Sequence, residues 1–177
     1  MINDFVIELP GLQWDKDFLL DDLSRCRERR PTATGGGQYM TVKLKLGKFS
    51  NIEEELARIS KQLPGLNFGV KEYHYLCTGI NSVLMPHADP DRPAALNIPL
   101  IGDIENTPIR FHSSASLKKE SVIFEHAYTC ATLVNTTICH IVVNRSAVDR
   151  YILSVSVYNT WQELVEILSN STLTQQQ

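Results

Sequence analysis

The segment ICHIVVNRSAVDRYILSVSVY, residues 138–158, decides the fold class that we predict for this chain of 177 residues. It consists of two runs rich in apolar and β-branched residues, separated by the polar turn NRSAVD at 144–149. Both runs alternate with the period of two that is typical of a half-buried β-strand. We therefore expect a strand, a turn and a second strand that runs back antiparallel beside the first.

Runs of the same kind follow one another over residues 70–158, with turn residues between them at intervals of roughly 8–12 residues, as in β-sandwiches and barrels. Amphipathic patterns predict helices over 15–29 and 50–65, with a strand over 39–47 between them. A third such pattern predicts a helix over 160–170. The sequence thus predicts a mainly β fold, a barrel or jelly roll buttressed by two N-terminal helices and one C-terminal helix.

The length of the chain favours a single domain. Within it we expect residues 1–69 to form a buttress of helices and one strand, and residues 70–158 to form the barrel core. Residues 159–177 would hold the last helix and a frayed tail. The glycine-rich stretch TATGGGQ at 32–38 is either a lid over a binding site or a plain disordered loop.

The bulk composition narrows the class of function. A hydrophobic fraction of 43% is enough to bury a core, and a net charge of −3 argues against a nucleic-acid or anionic-membrane partner. The chain has four cysteines but no CxxC pair and no recognisable signal peptide, which predicts reduced thiols in a cytoplasmic protein. No segment approaches the roughly 18 consecutive apolar residues of a membrane span.

The segment SVLMPHADPDRP at 82–93 contains a histidine and an aspartate one residue apart, His87 and Asp89. Pro86 and Pro90 favour extended backbone at the residues that precede them. In extended backbone, residues i and i+2 point to the same side, so His87 and Asp89 are able to face the barrel interior together. In an apolar interior they must either pair with each other or bind a cation.

His140 offers a third ligand from a later strand, on the same face as Ile138 and Val142. Two histidines and one carboxylate on one side of a metal suit non-haem Fe(II). Taken singly, the His-x-Asp motif is also compatible with a polar loop, and His140 with a core histidine. Their combination within one β-rich segment favours a metal site.

The strand after the turn places one arginine among the residues of its interior face, which are Arg150, Ile152, Ser154 and Ser156. A guanidinium that faces a barrel interior needs an anionic partner. A dicarboxylate cosubstrate would satisfy it through two parallel hydrogen bonds. An ion pair with Asp149 or Glu125 is the alternative.

The segments MPHADPDRPAALNIPL (85–100) and CHIVVNRSAVDRYILSVSVYNTWQEL (139–164) resemble the Fe(II)/2-oxoglutarate-dependent dioxygenase superfamily. The second segment is similar in particular to the aspartyl/asparaginyl β-hydroxylase-like branch, which also includes free-proline hydroxylases. The shared pattern is a histidine, a valine-rich strand, an Asn-x-Ser turn, an arginine and an alternating strand. By this resemblance the fold is a double-stranded β-helix, the jelly-roll barrel that is also called cupin-like.

The resemblance also implies roles for individual residues. His87, Asp89 and His140 would hold the iron, and Arg150 would hold the distal carboxylate of 2-oxoglutarate. Many members of the superfamily place a serine or threonine two residues after the arginine, whereas this chain has Ile152. Another side chain must then assist Arg150, and the candidates are Asn97, Ser154 and Tyr75.

Substrate contacts are predicted from charge and strand position. Arg110 and His112 share one face of the run PIRFHS (108–113) and would grip a carboxylate at the barrel mouth, unless that face is simply solvated. Arg92, close to the His-x-Asp motif, is a further candidate.

The reaction that the resemblance implies is hydroxylation of an unactivated C–H bond of an amino acid, free or within a peptide, with release of succinate and CO2. It would use Fe(II), 2-oxoglutarate and O2, with ascorbate in support, and neither nucleic acid nor membrane. One alternative is a cupin-type isomerase or hydrolase that uses the same metal without 2-oxoglutarate. Another is a non-catalytic β-barrel binding module.

Overall fold

The computed structural model describes residues 1–29, 41–45, 52–89, 91–103, 106–114, 121–169 and 171. These residues form ten strands and three helices. The strands are β1 (Val6–Glu8), β2 (Thr41–Lys45), β3 (Phe68–Thr78), β4 (Val83–His87), β5 (Ala94–Ile101), β6 (Ile109–His112), β7 (Val122–His126), β8 (Thr132–Asn135), β9 (His140–Val143) and β10 (Arg150–Val157). The helices are α1 (Lys16–Arg29), α2 (Ile52–Gln62) and α3 (Trp161–Leu168).

The strands form two antiparallel sheets. The large sheet has the order β1-β8-β5-β10-β3-β2, and the small sheet has the order β4-β9-β6-β7. Apolar side chains from both sheets form one cluster between them, which includes Val6 and Val134 of the large sheet and Phe111 and Val142 of the small sheet. Two facing sheets that share an apolar interior confirm the predicted jelly-roll fold.

The other face of the large sheet is covered by the helices, as predicted. One cluster of fully buried side chains unites all three helices with the central strands, and it includes Leu19, Ile59, Leu164, Leu96 and Leu153. Burial of each such side chain contributes about 1.5–3 kcal/mol. The large sheet is therefore buried on both faces, and all eight residues of β10 are buried.

The predicted pairing across the turn at 144–149 is wrong. β9 pairs with β4 and β6 in the small sheet, whereas β10 pairs with β3 and β5 in the large sheet. The Asn144 amide shapes the turn by donating to the carbonyl oxygens of Thr78 (2.8 Å) and Val148 (2.9 Å). The turn thus carries the chain from one sheet to the other, because alternation fixes the two faces of a strand but not its neighbour.

The predictions of the three helices and of the strand before α2 are confirmed. The three helices begin and end within one helical turn of the predicted bounds, and β2 lies inside the predicted strand at 39–47. β1 was not predicted, because three residues are too few to show an alternation. Both β1 and β2 join the large sheet, so the predicted buttress supplies two of its strands. The glycine-rich stretch at 32–38 lies outside the described residues.

All four cysteines are free thiols. Within the described part of the chain, none of the helices has the length and apolar character that crossing a membrane requires.

Candidate metal centre

The structure brings His87, Asp89 and His140 together. Each offers one potential ligand atom, and these atoms all lie within 4.8 Å of one another. His87 and His140 stand directly opposite each other on β4 and β9, with their ring centroids 4.4 Å apart. His140 is buried, whereas His87 and Asp89 are half-buried at the margin of the small sheet. Two separate strand segments therefore present a compact set of ligands.

Local backbone features account for the position of the two ligands on β4. β4 is an edge strand, where Pro86 is tolerated because its missing N–H deprives no neighbouring strand of a bond. The register of β4 against β9 shifts between Leu84 and His87, so Pro86 lies at a bulge. Just after the strand, the amide of Asp89 donates to the carbonyl oxygen of Thr136 (2.7 Å), which fixes the Asp89 backbone against the turn between β8 and β9.

His140 is prepared to act as a neutral ligand. Its Nδ1 lies 2.9 Å from the carbonyl oxygen of Ile138 and must donate to it, which leaves Nε2 as the basic nitrogen. Burial lowers the pKa of His140 to about 4, although the bond to Ile138 opposes the shift. The imidazole is therefore neutral at physiological pH, which is the form that binds metals.

Asp89 is held in its charged form by Arg92. Burial alone would raise the pKa of Asp89, but the charge of Arg92 and its hydrogen bond to the carboxylate outweigh burial, and the pKa is lowered. Arg92 Nη2 donates to Asp89 Oδ2 at 2.5 Å. The centre thus offers two imidazoles and one carboxylate, a donor set that fits a divalent transition metal such as Fe(II) and leaves coordination positions open.

Arg150 lies in the interior between the sheets, as its position on β10 predicts. The residue is only 3% exposed, and its guanidinium carbon lies 4.7 Å from the ring centroid of Tyr128. Its Nη2 has no hydrogen-bond partner among the described residues. Burial lowers the pKa of Arg150, against the opposing effect of Tyr128. A buried guanidinium with a free donor is costly unless an anion completes the site.

Tyr128 is a residue of this region that sequence reasoning missed. It is almost fully buried, and its hydroxyl accepts a hydrogen bond of 3.0 Å from Asn97 Nδ2. The Oδ1 atom of Asn97 has no partner among the described residues. Tyr128 follows β7 in a turn, and nothing in its neighbourhood of the sequence indicates that the ring inserts beneath Arg150. Only the packing of the turn between the two sheets reveals it.

Asn97 and Ser154 both face the interior. They stand opposite each other on β5 and β10 and alternate with residues of the helix-side cluster, such as Leu96 and Leu153. Ser154 Oγ accepts a weak bond of 3.5 Å from Arg92 Nη1, so the structure associates Ser154 with Arg92 rather than with Arg150. Contact of either residue with a cosubstrate stays a prediction.

The structure does not bring Tyr75 to Arg150. Tyr75 stands opposite Leu153, on the face of the large sheet that packs against the helices. Its hydroxyl donates to Asp22 on α1 at 2.9 Å. The notion that Tyr75 assists Arg150 is therefore corrected: odd and even positions of β3 face opposite sides, and Tyr75 is on the helix side.

Arg110 and His112 each have a partner on or beside β7. Their neighbour Phe111 points inward, with its ring centroid 6.1 Å from that of His140, and the register of β6 against β7 shifts between Phe111 and His112. Arg110 forms an ion pair with Glu125 on β7. His112 is buried and its Nδ1 lies 2.8 Å from the hydroxyl of Ser121. Contact of either side chain with a substrate stays a prediction.

A cavity of about 190 Å³ adjoins Arg150, and Tyr128, Ile152 and Pro99 contribute to its wall. Liquid water occupies about 30 Å³ per molecule, so the cavity has room for a ligand of a few heavy atoms. Ile152 and Pro99 make part of this wall apolar.

Comparison with solved structures supports the fold. The α-ketoglutarate-dependent epimerase SnoN from nogalamycin biosynthesis superimposes with a TM-score of 0.58 at 15% identity, over 88% of this chain and 78% of that chain. HygX from Streptomyces hygroscopicus, solved with nickel and 2-oxoglutarate, gives 0.53 at 13% identity, over 88% and 83% of the chains. The nickel complex of the non-haem monooxygenase ThoJ gives 0.51 at 14% identity, over 87% and 73%.

The chain therefore has the fold of these non-haem enzymes. No protein-family model matches the sequence, and no curated protein does either. At identities this low the superpositions establish the fold alone. The narrower resemblance to the aspartyl/asparaginyl β-hydroxylase-like branch stays a prediction.

Proposed function

We propose that this protein is an Fe(II)- and 2-oxoglutarate-dependent oxygenase. The observation that carries the proposal is the clustering of His87, Asp89 and His140 in the same interior as a buried arginine, Arg150, that has a free donor. The first group is a ligand set for iron, and the second is a receptor for a carboxylate. Either feature alone has an ordinary structural explanation, but their coexistence in this fold favours one site.

The two sheets would bind different groups, the metal at the small sheet and the cosubstrate carboxylate at the large sheet. His87, Asp89 and His140, on or beside the small sheet, would hold the metal. Arg150 on the large sheet would bind the distal carboxylate of the cosubstrate. When bound, Fe(II) and 2-oxoglutarate would supply the electrons that activate O2, and the protein would supply position and exclusion of water.

Tyr128 takes the place of the serine or threonine that Ile152 replaces. Its ring supports the guanidinium of Arg150, and its hydroxyl, which already accepts from Asn97, still has a proton to donate. Burial raises the pKa of Tyr128, although Arg150 and Asn97 oppose the shift. The hydroxyl therefore stays protonated and is able to donate to a carboxylate.

For the reaction itself we propose hydroxylation of an aliphatic C–H bond in an amino acid, free or within a peptide. In this reaction one oxygen atom of O2 enters the hydroxylated product and the other enters succinate, while 2-oxoglutarate loses CO2. The matches to an epimerase and a monooxygenase show that this fold serves more than one outcome, so the substrate must be found by experiment.

The test is succinate release from 2-oxoglutarate by purified protein with Fe(II), ascorbate and O2, screened against free amino acids and short peptides. We expect substrate-dependent succinate formation that is lost in His140→Ala and in Arg150→Met. Metal-dependent turnover of a substrate without consumption of 2-oxoglutarate would instead favour the isomerase or hydrolase alternative. A protein that binds neither metal nor 2-oxoglutarate would be the non-catalytic module.

A further inference from the structure

Arg92 connects the metal centre to the large sheet. Its Nη2 donates to Asp89 Oδ2 at 2.5 Å, and its Nη1 lies 3.5 Å from Ser154 Oγ on β10. Asp89 follows β4 of the small sheet, so this one guanidinium spans the gap between the two sheets beside the metal ligands.

The backbone of Arg92 is held as firmly as its side chain. Its amide donates to the carbonyl oxygen of Asp89 at 3.1 Å, and its own carbonyl oxygen accepts a hydrogen bond from the hydroxyl of Thr136. The side chain is 21% exposed, so most of it is removed from water. Arg92 therefore approaches Asp89 from a fixed position, unlike a mobile surface arginine.

A carboxylate that ligates a metal has two oxygens, and the second oxygen is free to rotate towards the metal unless another group holds it. Arg92 holds Oδ2 of Asp89, which leaves Oδ1 outside this bond. Partners of this kind orient the ligand before the metal arrives, and their removal weakens metal binding by about 10- to 100-fold.

We propose that Arg92 is a positioning residue of the metal centre, which reserves Oδ2 of Asp89 for itself and presents Oδ1 to the metal. This inference rests on the proposed metal site. It gives Arg92 a role beside the substrate contact predicted from the sequence, which stays a prediction.

Two physical effects of Arg92 on metal binding have opposite signs, which makes the proposal testable. The positive charge repels a cation, so its removal would tighten binding if repulsion dominated. The orientation of Asp89 favours the cation, so removal of the side chain weakens binding if positioning dominates. The proposal requires the second effect to be the larger.

The experiment is a calorimetric titration of Mn²⁺ into the metal-free full-length protein, for the wild type, Arg92→Met and Arg92→Lys. We expect Arg92→Met to raise the Kd for Mn²⁺ by about 10- to 100-fold. Arg92→Lys keeps the charge but not the forked geometry, and we expect a smaller rise. Arg25→Met is the matched control, because it removes an exposed ion pair with Asp21 on α1, and its Kd should equal that of the wild type.

Two further measurements distinguish the loss of Asp89 orientation from a loss of folded structure in the variants. Chemical denaturation of the metal-free variants reports whether each one folds, and the visible spectrum of Co²⁺-loaded protein reports the ligand arrangement, which we expect to change in Arg92→Met. If Arg92→Met does not fold, Arg92→Lys decides the question. A Kd equal to or lower than that of the wild type in the folded variant would overturn the proposal, and absence of Mn²⁺ binding by the wild type would overturn the metal site itself.

Discussion

At the scale of single residues, the structure separates two buried tyrosines that look alike in the sequence. Tyr75 bonds Asp22 on the helix side of the large sheet, whereas Tyr128 bonds Asn97 in the interior beside Arg150. Strand alternation locates Asn97, Ser154 and Arg150 correctly from sequence. It cannot locate Tyr128, because a residue in a turn has no periodic pattern and its position depends on how the turn packs.

The two tyrosines provide a matched pair of variants. Tyr128→Phe removes a hydroxyl beside Arg150 and leaves the ring in place, so we expect weaker 2-oxoglutarate binding to the metal-loaded protein, by about tenfold for one lost hydrogen bond. Tyr75→Phe should destabilise the fold by a similar amount, about 1–2 kcal/mol, without a change in that affinity. Equal 2-oxoglutarate affinities for wild type and Tyr128→Phe would contradict the assignment of Tyr128.

We expect Arg150 to lower the stability of the ligand-free protein. Its buried guanidinium has an unsatisfied donor and the ring of Tyr128 as its described support, so an apolar replacement of similar length relieves the cost of burial. We expect Arg150→Met to abolish 2-oxoglutarate binding yet to leave the free energy of unfolding unchanged or increased. Urea denaturation measures this, and a loss of more than about 1 kcal/mol would count against an unpaired arginine.

At the scale of elements, the strands and helices were predictable but their partners were not. The alternation of β9 and β10 identifies both strands and both inward faces, and hence His140 and Arg150. It does not show that the chain changes sheets between them, because sheet membership depends on pairing with strands far away in the sequence. The three-residue strand β1 was missed for a related reason, since its pairing with β8 defines it.

The end of β7 carries a histidine that makes stability depend on pH. Burial lowers the pKa of His126, although Glu8, 3.9 Å away, opposes the shift. His126 therefore takes up its proton at a lower pH in the folded protein than in the unfolded chain, where it protonates as the pH falls below about 6.5. The unfolded state then binds more protons, so folding stability is complete above that pH and declines below it.

We expect the metal-free protein to lose stability between pH 7.5 and pH 5.5, and His126→Gln to reduce that loss. His140, whose pKa is lowered to about 4, contributes with the same sign, so part of the decline should remain in the variant. Urea denaturation at the two pH values measures the effect. An unchanged pH dependence in His126→Gln would show that His126 does not contribute.

At the scale of the whole molecule, the site exists only because two sheets face each other. The small sheet carries the two histidines and leads into Asp89, while the large sheet carries Arg150 and Ser154. The sequence brought His87, Asp89 and His140 together as candidate ligands because each belongs to a strand or follows it at once. It placed Tyr75 in the interior, whereas the structure packs Tyr75 against α1, because which face of a strand is covered by which layer depends on the tertiary fold.

Metal binding should stabilise the whole fold. A ligand at 100 times its Kd adds about 2.7 kcal/mol to folding stability, which raises the Tm of a chain of this length by roughly 5–10 °C. We expect such a rise with Mn²⁺ in the wild type and none in His87→Ala, as measured by thermal denaturation. A comparable rise in His87→Ala would place the metal elsewhere.

The central claim is that a metal and 2-oxoglutarate share one site. Calorimetric titration of 2-oxoglutarate into Mn²⁺-loaded protein tests it most directly. The account predicts binding by the wild type that disappears without metal, in His140→Ala and in Arg150→Met. Absence of binding by the metal-loaded wild type, or undiminished binding by Arg150→Met, would contradict it.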